Sequence, residues 1–460
     1  MTEAIKTKLN NKIKFAYGFA DFGFLAMVNL SNFYLLTFLT VVVKLSPVTA
    51  GIIMTGGRIL DTISVPILGP VIEKSKMKWG KYRSWLIIGS ILVFIFNSLL
   101  FVNLPNFFGQ TGVIIAGIFI YALFCIAGNA AYIAFTSLNS ALTTDPKEKV
   151  TLSTIRGIGN ALGKIFAGWA ILPLVYFFGK SEDFTTTGFF WVAVLFGALT
   201  TFTYLTLVAA TKGVADAGVE KDASGKAVQV TVKDMLMQIK SNRPALMILI
   251  ADTARILATL LLFATIPIFF IFVVGDPTKI MVFFGMVNFL LLGGSLTVPL
   301  LKKFFTKRTI YLSGMLLMVA SFTAMYLNAH NANAVIIFAS IGFIGYALAN
   351  VINTAMYADA SEYGLYKTGI NARAVVFSSF QLSIKIAATL SVSISAFGLA
   401  LIGFQEGVAP TAEVVAGIKN IAMFFPTAFV VISIIALLFY NIDDKKLAEM
   451  KAAYEAGEGA

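Results

Sequence analysis

The chain has 460 residues, of which 58% are hydrophobic and only 13% are charged, and its mean hydropathy is +0.85. Soluble domains carry about 25% charged residues, so this composition excludes a water-soluble globular protein and indicates a protein embedded in lipid. The net charge of +12 does not indicate nucleic-acid binding, because the basic residues cluster in short segments between apolar runs. With Cys125 and His330 as the single residues of their kinds, the sequence predicts no metal site and no cofactor.

Twelve apolar runs are each long enough to cross a bilayer, which takes about twenty residues in a helix. The predicted membrane helices are 15–43, 48–72, 85–103, 112–140, 152–178, 187–210, 244–274, 279–301, 309–328, 332–357, 374–404 and 414–440. The sequence therefore predicts an all-α membrane protein.

The distribution of Lys and Arg predicts the orientation of these helices. The segment 73–83, between the second and third helices, contains five basic residues, and 302–308, between the eighth and ninth, contains four. The segment 103–111 on the opposite side contains none. Because basic loops stay in the cytoplasm, we expect both termini to be cytoplasmic and the protein to lie in a cell membrane, typically the bacterial inner membrane.

The longest polar stretch divides the chain into two halves. We predict an N-terminal six-helix bundle over 1–210, a cytoplasmic middle loop over 211–243, a C-terminal bundle over 244–440 and a cytoplasmic tail over 441–460. Each half carries its basic loop after its second helix, so two six-helix pseudo-repeats are expected. This organisation is typical of the major facilitator superfamily, whose members are secondary transporters. The sequence contains no catalytic constellation, so an enzyme is not expected, and we expect a monomer.

Several motifs narrow this prediction to one family. They are Tyr17-Gly-Phe-Ala-Asp-Phe-Gly23, Arg58-Ile-Leu-Asp-Thr-Ile-Ser-Val-Pro66, Trp79-Gly-Lys-Tyr-Arg-Ser-Trp85 and Asp359-Ala-Ser-Glu-Tyr-Gly364. Together with Lys385 in the eleventh helix, these stretches resemble the glycoside-pentoside-hexuronide:cation symporters. The resemblance implies sugar uptake coupled to sodium, lithium or protons.

The resemblance also implies a cation site on the second helix, and this chain departs from it. Asp61 matches the first carboxylate of the family site, but Ser64 replaces an Asn, Val65 replaces the second Asp, and Asn129 replaces a Thr. Sodium needs several oxygen ligands, so the lost carboxylate favours proton coupling over sodium coupling, or uniport and exchange. Arg58 lies three residues before Asp61, so a purely structural ion pair is the alternative.

The sugar-binding positions implied by the family change as well. Leu25 and Tyr132 stand where the family has sugar-binding Asp residues, whereas the basic residues are kept as Arg156 and Lys385. Ionisable residues inside a membrane usually mark a pathway. The candidates are Asp21, Arg58, Asp61, Arg156, Lys164, Asp252, Arg255 and Lys385. Five of these eight are basic and three acidic, so their balance of +2 predicts an anionic solute such as a uronide or a sulfosugar. A non-sugar organic anion or an amphipathic compound is the alternative.

Further polar residues are candidates for the substrate path. Asp21 can accept hydrogen bonds from a solute or pair with a basic residue. Neutral candidates for binding sugar hydroxyls are Asn32, Asn350, Asn353 and Gln381, although such side chains also hold membrane helices together. Asp359 and Glu362 match the acidic loop motif of the family and are predicted to latch the cytoplasmic side.

Overall fold

The computed structural model describes residues 9–143, 145–213, 242–368, 373–405, 407–442 and 444–455, and every regular element in them is helical. Twelve of these helical spans are long and apolar enough to cross a membrane, which confirms the predicted number. The first eleven are α1 (Asn11–Thr37), α2 (Pro47–Lys74), α3 (Lys81–Leu100), α4 (Gln110–Leu142), α5 (Pro146–Gly179), α6 (Thr186–Ala210), α7 (Arg243–Phe269), α8 (Lys279–Leu301), α9 (Lys307–Leu327), α10 (Ala332–Thr368) and α11 (Arg373–Leu401). The twelfth joins α12 (Ala412–Lys419) to α13 (Phe425–Leu438) through a π-helical turn, and α14 (Asp444–Glu455) follows.

Two predicted boundaries were wrong by more than five residues. Helix α5 begins at Pro146, where Asp145 caps its first turn by accepting a hydrogen bond from the Lys147 amide. Helix α10 has 37 residues, so it is about 55 Å long against a hydrocarbon core of about 30 Å. Hydropathy marks only the apolar part of such a helix. Asp359 and Glu362, which were expected in a loop, therefore lie in the last turns of α10.

The two halves repeat the same helix packing. In the first half α3 packs on α4 and α6, and α1 packs on α6; in the second half α9 packs on α10 and α13, and α7 packs on α13. The first helix of each half also ends in a π-helical turn, Phe38–Val42 after α1 and Phe270–Val274 after α7. These equivalences confirm two six-helix pseudo-repeats and the predicted fold class.

Contacts between helices divide the chain into two compact units. The first contains α1–α6 together with Ile280–Gly285 of α8 and the end of α11 from Ala396. The second contains the remaining parts of α7–α14. Most of the predicted middle loop, 211–243, lies outside the described residues, and the cytoplasmic location of both termini stays a prediction.

Glycines bring the backbones of α1 and α5 into direct contact. A Cβ atom on Gly159 would overlap the carbonyl oxygen of Gly18, and one on Gly163 would lie 2.5 Å from the carbonyl oxygen of Phe22. Residues 159 and 163 are four apart on α5, a small-residue spacing that lets membrane helices approach closely. The same device joins α9 to α10, where Gly314 and Gly345 meet. The crossing fixes which residues of α5 face α1.

We predict that Gly159→Ala destabilises the protein, because the added methyl group meets backbone that cannot move aside. Overpacking of this kind costs about 1–3 kcal/mol, so thermal unfolding of the purified protein in detergent should begin at a lower temperature. Gly157→Ala is the matched control, since a Cβ atom there meets nothing within 4 Å. Equal unfolding temperatures for the two variants would contradict the proposed role of the crossing.

Candidate substrate and coupling sites

A group of charged and polar side chains lies where α5 crosses α1. We call it the α1–α5 cluster and define it as Asp21, Arg156, Asn160 and Lys164. Asp21 is 1% exposed, and its Oδ2 atom accepts a hydrogen bond from the Asn160 amide at 3.3 Å. Its Oδ1 atom is buried and has no hydrogen-bond partner among the residues that the structure describes. Arg156 and Lys164 both lie within electrostatic range of Asp21. The cluster thus holds two cations and one half-satisfied carboxylate.

The spacing on α5 explains how these residues meet. Arg156, Asn160 and Lys164 are four residues apart, so they follow one another along one face of the helix. The crossing glycines, Gly159 and Gly163, each precede a member of this stripe. The close approach of the two backbones therefore holds the stripe beside Asp21. Asn160 was not predicted, although its position midway between two intramembrane cations was a signal that could have found it.

Three tyrosines lie around the cluster, one on α1 itself and two on neighbouring helices. Tyr17 of α1, Tyr132 of α4 and Tyr204 of α6 all lie in the electrostatic environment of Asp21. Tyr17 and Tyr204 are fully buried, so they belong to the packed interior. Tyr132 is partly exposed and stacks on Phe24 with 5.0 Å between ring centroids.

The structure thus brings together three of the predicted substrate residues, Asp21, Tyr132 and Arg156. Asn32 is not among them. It is half-buried and lies eleven residues after Asp21 on α1, which is about 16 Å along the helix axis.

The predicted coupling residues form a second group, between α2 and α4. The Asn129 amide donates a short hydrogen bond to Asp61 Oδ1, and Arg58 Nη1 lies 3.6 Å from Asp61 Oδ2. The Asp61 side chain is completely buried, and Arg58 also lies over the Tyr121 ring at 5.2 Å. The Ser64 hydroxyl donates a hydrogen bond to the backbone carbonyl of Asp61 at 2.6 Å.

This second group offers N–H donors to its carboxylate. Arg58 contributes a permanent positive charge and Asn129 an amide donor, whereas a sodium site needs oxygen ligands. Within the described residues there is no group of three or more His, Cys, Asp or Glu side chains placed to hold a metal ion. The described groups around the Asp61 carboxylate therefore supply N–H donors and a positive charge.

In the second half, a fully buried ion pair joins three helices. Arg255 Nη2 lies 2.5 Å from Asp252 Oδ1, and both side chains are completely buried. Ser383 of α11 donates to Asp252 Oδ2 at 2.7 Å, and Arg255 donates to Asn350 of α10 at 3.3 Å. Arg255 also lies over the Tyr346 ring at 4.4 Å.

Because both oxygens of Asp252 have hydrogen-bond partners, this network has the features of a structural pair. Asn350, predicted to bind substrate, is therefore engaged by Arg255. Ser383 was not predicted, since nothing in the sequence distinguishes it from the other serines of its helix.

The other predicted residues of the second half have varied surroundings. Asn353 is completely buried, and no described residue forms a hydrogen bond with its amide nitrogen or its oxygen. Gln381 is exposed and Lys385 is half-buried, four residues apart on one face of α11. Asp359 forms an ion pair with Lys307 at the start of α9, at 2.7 and 2.8 Å to its two oxygens, whereas Glu362 is exposed.

The sequence is similar to known transport proteins along nearly its whole length. It is 29% identical over 454 residues to the "Uncharacterized symporter YjmB" of Bacillus subtilis (strain 168), covering 96% of this chain and 95% of that protein. It is 27% identical to the isoprimeverose transporter of Lactiplantibacillus pentosus (95% and 91% covered) and 25% identical to the putative sulfoquinovose importer of Escherichia coli (strain K12) (96% and 93% covered).

The fold is similar to the crystal structure of the nucleoside transporter NupG, with a TM-score of 0.64, 13% identity, and coverage of 94% of this chain and 99% of that one. Residues 16–444 match the family described as MFS/sugar transport protein. The relatives bear out the resemblance to the glycoside-pentoside-hexuronide:cation symporters, and the chain is a multi-pass membrane transporter rather than an enzyme. It belongs to the MFS/sugar transport protein family of the major facilitator superfamily.

Proposed function

We propose that the protein takes up an anionic sugar, a sugar acid or a sulfonated sugar, by alternating access coupled to protons. The observation that carries this proposal is the α1–α5 cluster, in which two cations face one half-satisfied carboxylate. Alternating access around a central site is the usual mechanism of this fold. The proposal includes a monomer in the bacterial cytoplasmic membrane, with both termini in the cytoplasm.

The charge of the cluster supports an anionic solute. Two cations and one carboxylate leave a net charge of +1 inside the membrane, where an uncompensated charge is costly. A carboxylate or sulfonate group would be attracted by that charge and could accept paired hydrogen bonds from the Arg156 guanidinium. The partly exposed ring of Tyr132 offers an apolar face to a sugar. One relative is named for sulfoquinovose, which is a sulfonated sugar.

A second candidate function is uniport or exchange of an organic anion without a coupling ion. The ion pair between Arg58 and Asp61 favours it, because a carboxylate already paired with a permanent cation has less need of a proton.

Another relative is named for isoprimeverose, a neutral disaccharide, so a neutral glycoside is the substrate class against which the proposal must be tested.

We expect D-glucuronate and sulfoquinovose to raise the unfolding temperature of the purified protein, and D-glucose not to do so. Arg156→Gln should weaken anion binding by about tenfold or more, because a hydrogen bond to a charged group contributes about 1.5–3 kcal/mol. Thermal unfolding with increasing ligand concentration measures both effects. Lys302→Gln, an exposed basic residue after α8, is the control and should bind as the wild type. Stabilisation by neutral sugars alone would refute the anionic substrate.

We propose Asp61 as a proton-coupling residue, held by Asn129 and Arg58 as described above. Asp61→Asn should abolish uphill accumulation in proteoliposomes, because an amide cannot bind and release a proton. Exchange of labelled for unlabelled solute should continue. Asp183→Asn, in the exposed turn after α5, is the acid-to-amide control. If the Asp61→Asn protein still accumulates solute against its gradient, Asp61 is not the coupling residue.

We propose that the ion pair between Lys307 and Asp359 acts as a cytoplasmic latch, with Glu362 beside it on α10. Breaking a latch changes the rate of opening and closing more than the binding equilibrium, so Asp359→Asn should lower the transport rate several-fold and leave equilibrium binding nearly unchanged. Lys307→Gln should reproduce this result because it breaks the same pair. Equal losses of transport and binding would argue against a gating role.

A further inference from the structure

Asp21 differs from Asp61 and Asp252, which are also buried within membrane helices, because only one of its two carboxylate oxygens has a described hydrogen-bond partner. Asp252 has a hydrogen-bond partner on each oxygen, and Asp61 has Asn129 on one oxygen and Arg58 near the other. Within the described residues, Asp21 receives one hydrogen bond, from Asn160, and its buried Oδ1 atom has no partner. A buried acceptor without a partner is costly, so Oδ1 is a position where an added hydrogen-bonding atom or a proton would be stabilised.

The groups that face Asp21 come from every helix around it. Helix α5 contributes Arg156, Asn160 and Lys164, and Tyr17 lies one turn before Asp21 on α1 itself. Helix α4 contributes Tyr132, and helix α6 contributes Tyr204. The charged groups are thus two cations, and no second carboxylate stands beside Asp21 in the described part of the chain.

The same two cations serve Asp21 and the proposed anionic solute. While Asp21 is ionised, it compensates part of their charge and repels an incoming carboxylate or sulfonate. Once Asp21 is neutral, both cations are available to the solute and the repulsion is gone. In the empty site the ionised form of Asp21 is favoured, because a neutral Asp21 would leave two uncompensated cations in the membrane. The anion and the proton therefore favour each other's binding.

We propose that Asp21 is a proton-binding site that is linked to anion binding at Arg156 and Lys164. A proton from the aqueous phase forms an O–H bond with Oδ1 as the anion enters, while Oδ2 keeps its hydrogen bond from Asn160. The proton and a monovalent anion bring no net charge into the cluster. The anion in this linkage rests on the proposed function, but the proton site is separate from Asp61 and couples at the binding step itself.

Linkage of this kind is reciprocal, so it can be measured as protons taken up on binding. The experiment uses the purified full-length protein, with D-glucuronate and sulfoquinovose as probes, and isothermal titration calorimetry in buffers of different ionisation enthalpy. The wild type should take up about one proton per bound anion, and its dissociation constant should rise about tenfold per pH unit over the coupled range. Asp21→Asn should bind both probes with no proton uptake and with a pH-independent dissociation constant. Asp183→Asn, which removes an exposed carboxylate outside the cluster, is the control and should behave like the wild type.

Three outcomes would overturn the proposal. Proton uptake that persists in Asp21→Asn places the site elsewhere. Anion binding to the wild type without proton uptake removes the linkage but leaves an anionic substrate in place. Binding of neither probe at any pH refutes both the linkage and the proposed function. Asp21→Glu, which keeps a titratable group, should restore proton uptake, and Asp21→Ser replaces Asp21→Asn if the amide variant does not fold.

Discussion

The close crossing of α1 and α5 is the constraint on which the α1–α5 cluster depends. Gly18, Gly159 and Gly163 let the two backbones touch, and this contact sets the position of every polar side chain on the facing side of α5. Inside a membrane there is little hydrophobic force between helices, so such close packing and interhelical hydrogen bonds must hold them together. A side chain at Gly159 or Gly163 would separate the helices and move Arg156 and Lys164 away from Asp21.

Three buried carboxylates in this chain illustrate how the surroundings of a charge govern what it can do. Asp252 is paired with Arg255, bonded to Ser383 and sealed from solvent, so it ties α7 to its neighbours. Asp61 is compensated by Arg58 and held by Asn129. Asp21 lies in the electrostatic range of Arg156 and Lys164, and its Oδ1 atom receives no hydrogen bond from the described part of the chain. Of the three carboxylates, Asp21 has the fewest described hydrogen-bond and ion-pair partners, so a hydrogen-bonding ligand or a proton would stabilise it most.

The sequence resemblance to the glycoside-pentoside-hexuronide:cation symporters implies that the chain has lost acidic groups at the sugar and cation sites and has kept basic ones. By that resemblance, Leu25, Tyr132 and Val65 each stand at a position where the family has a carboxylate. An intramembrane lysine, Lys164, lies two turns beyond Arg156. The missing carboxylates and the added positive charge of Lys164 have the same effect, because each makes the interior of the N-terminal half more positive. A solute that brings its own negative charge is consistent with all of them.

The sequence by itself determined the membrane class, the twelve crossings, the six-helix repeat and the family, because hydropathy and local motifs depend on neighbours along the chain. It also identified nearly every buried charge. Tertiary structure decided which of these charges meet. The hydrogen bond from Asn160 to Asp21 and the hydrogen bond from Ser383 to Asp252 both depend on the rotation of one helix against another. Polar turns that continue α10 beyond the apolar region, and so place Asp359 in a helix, likewise carry no hydropathy signal.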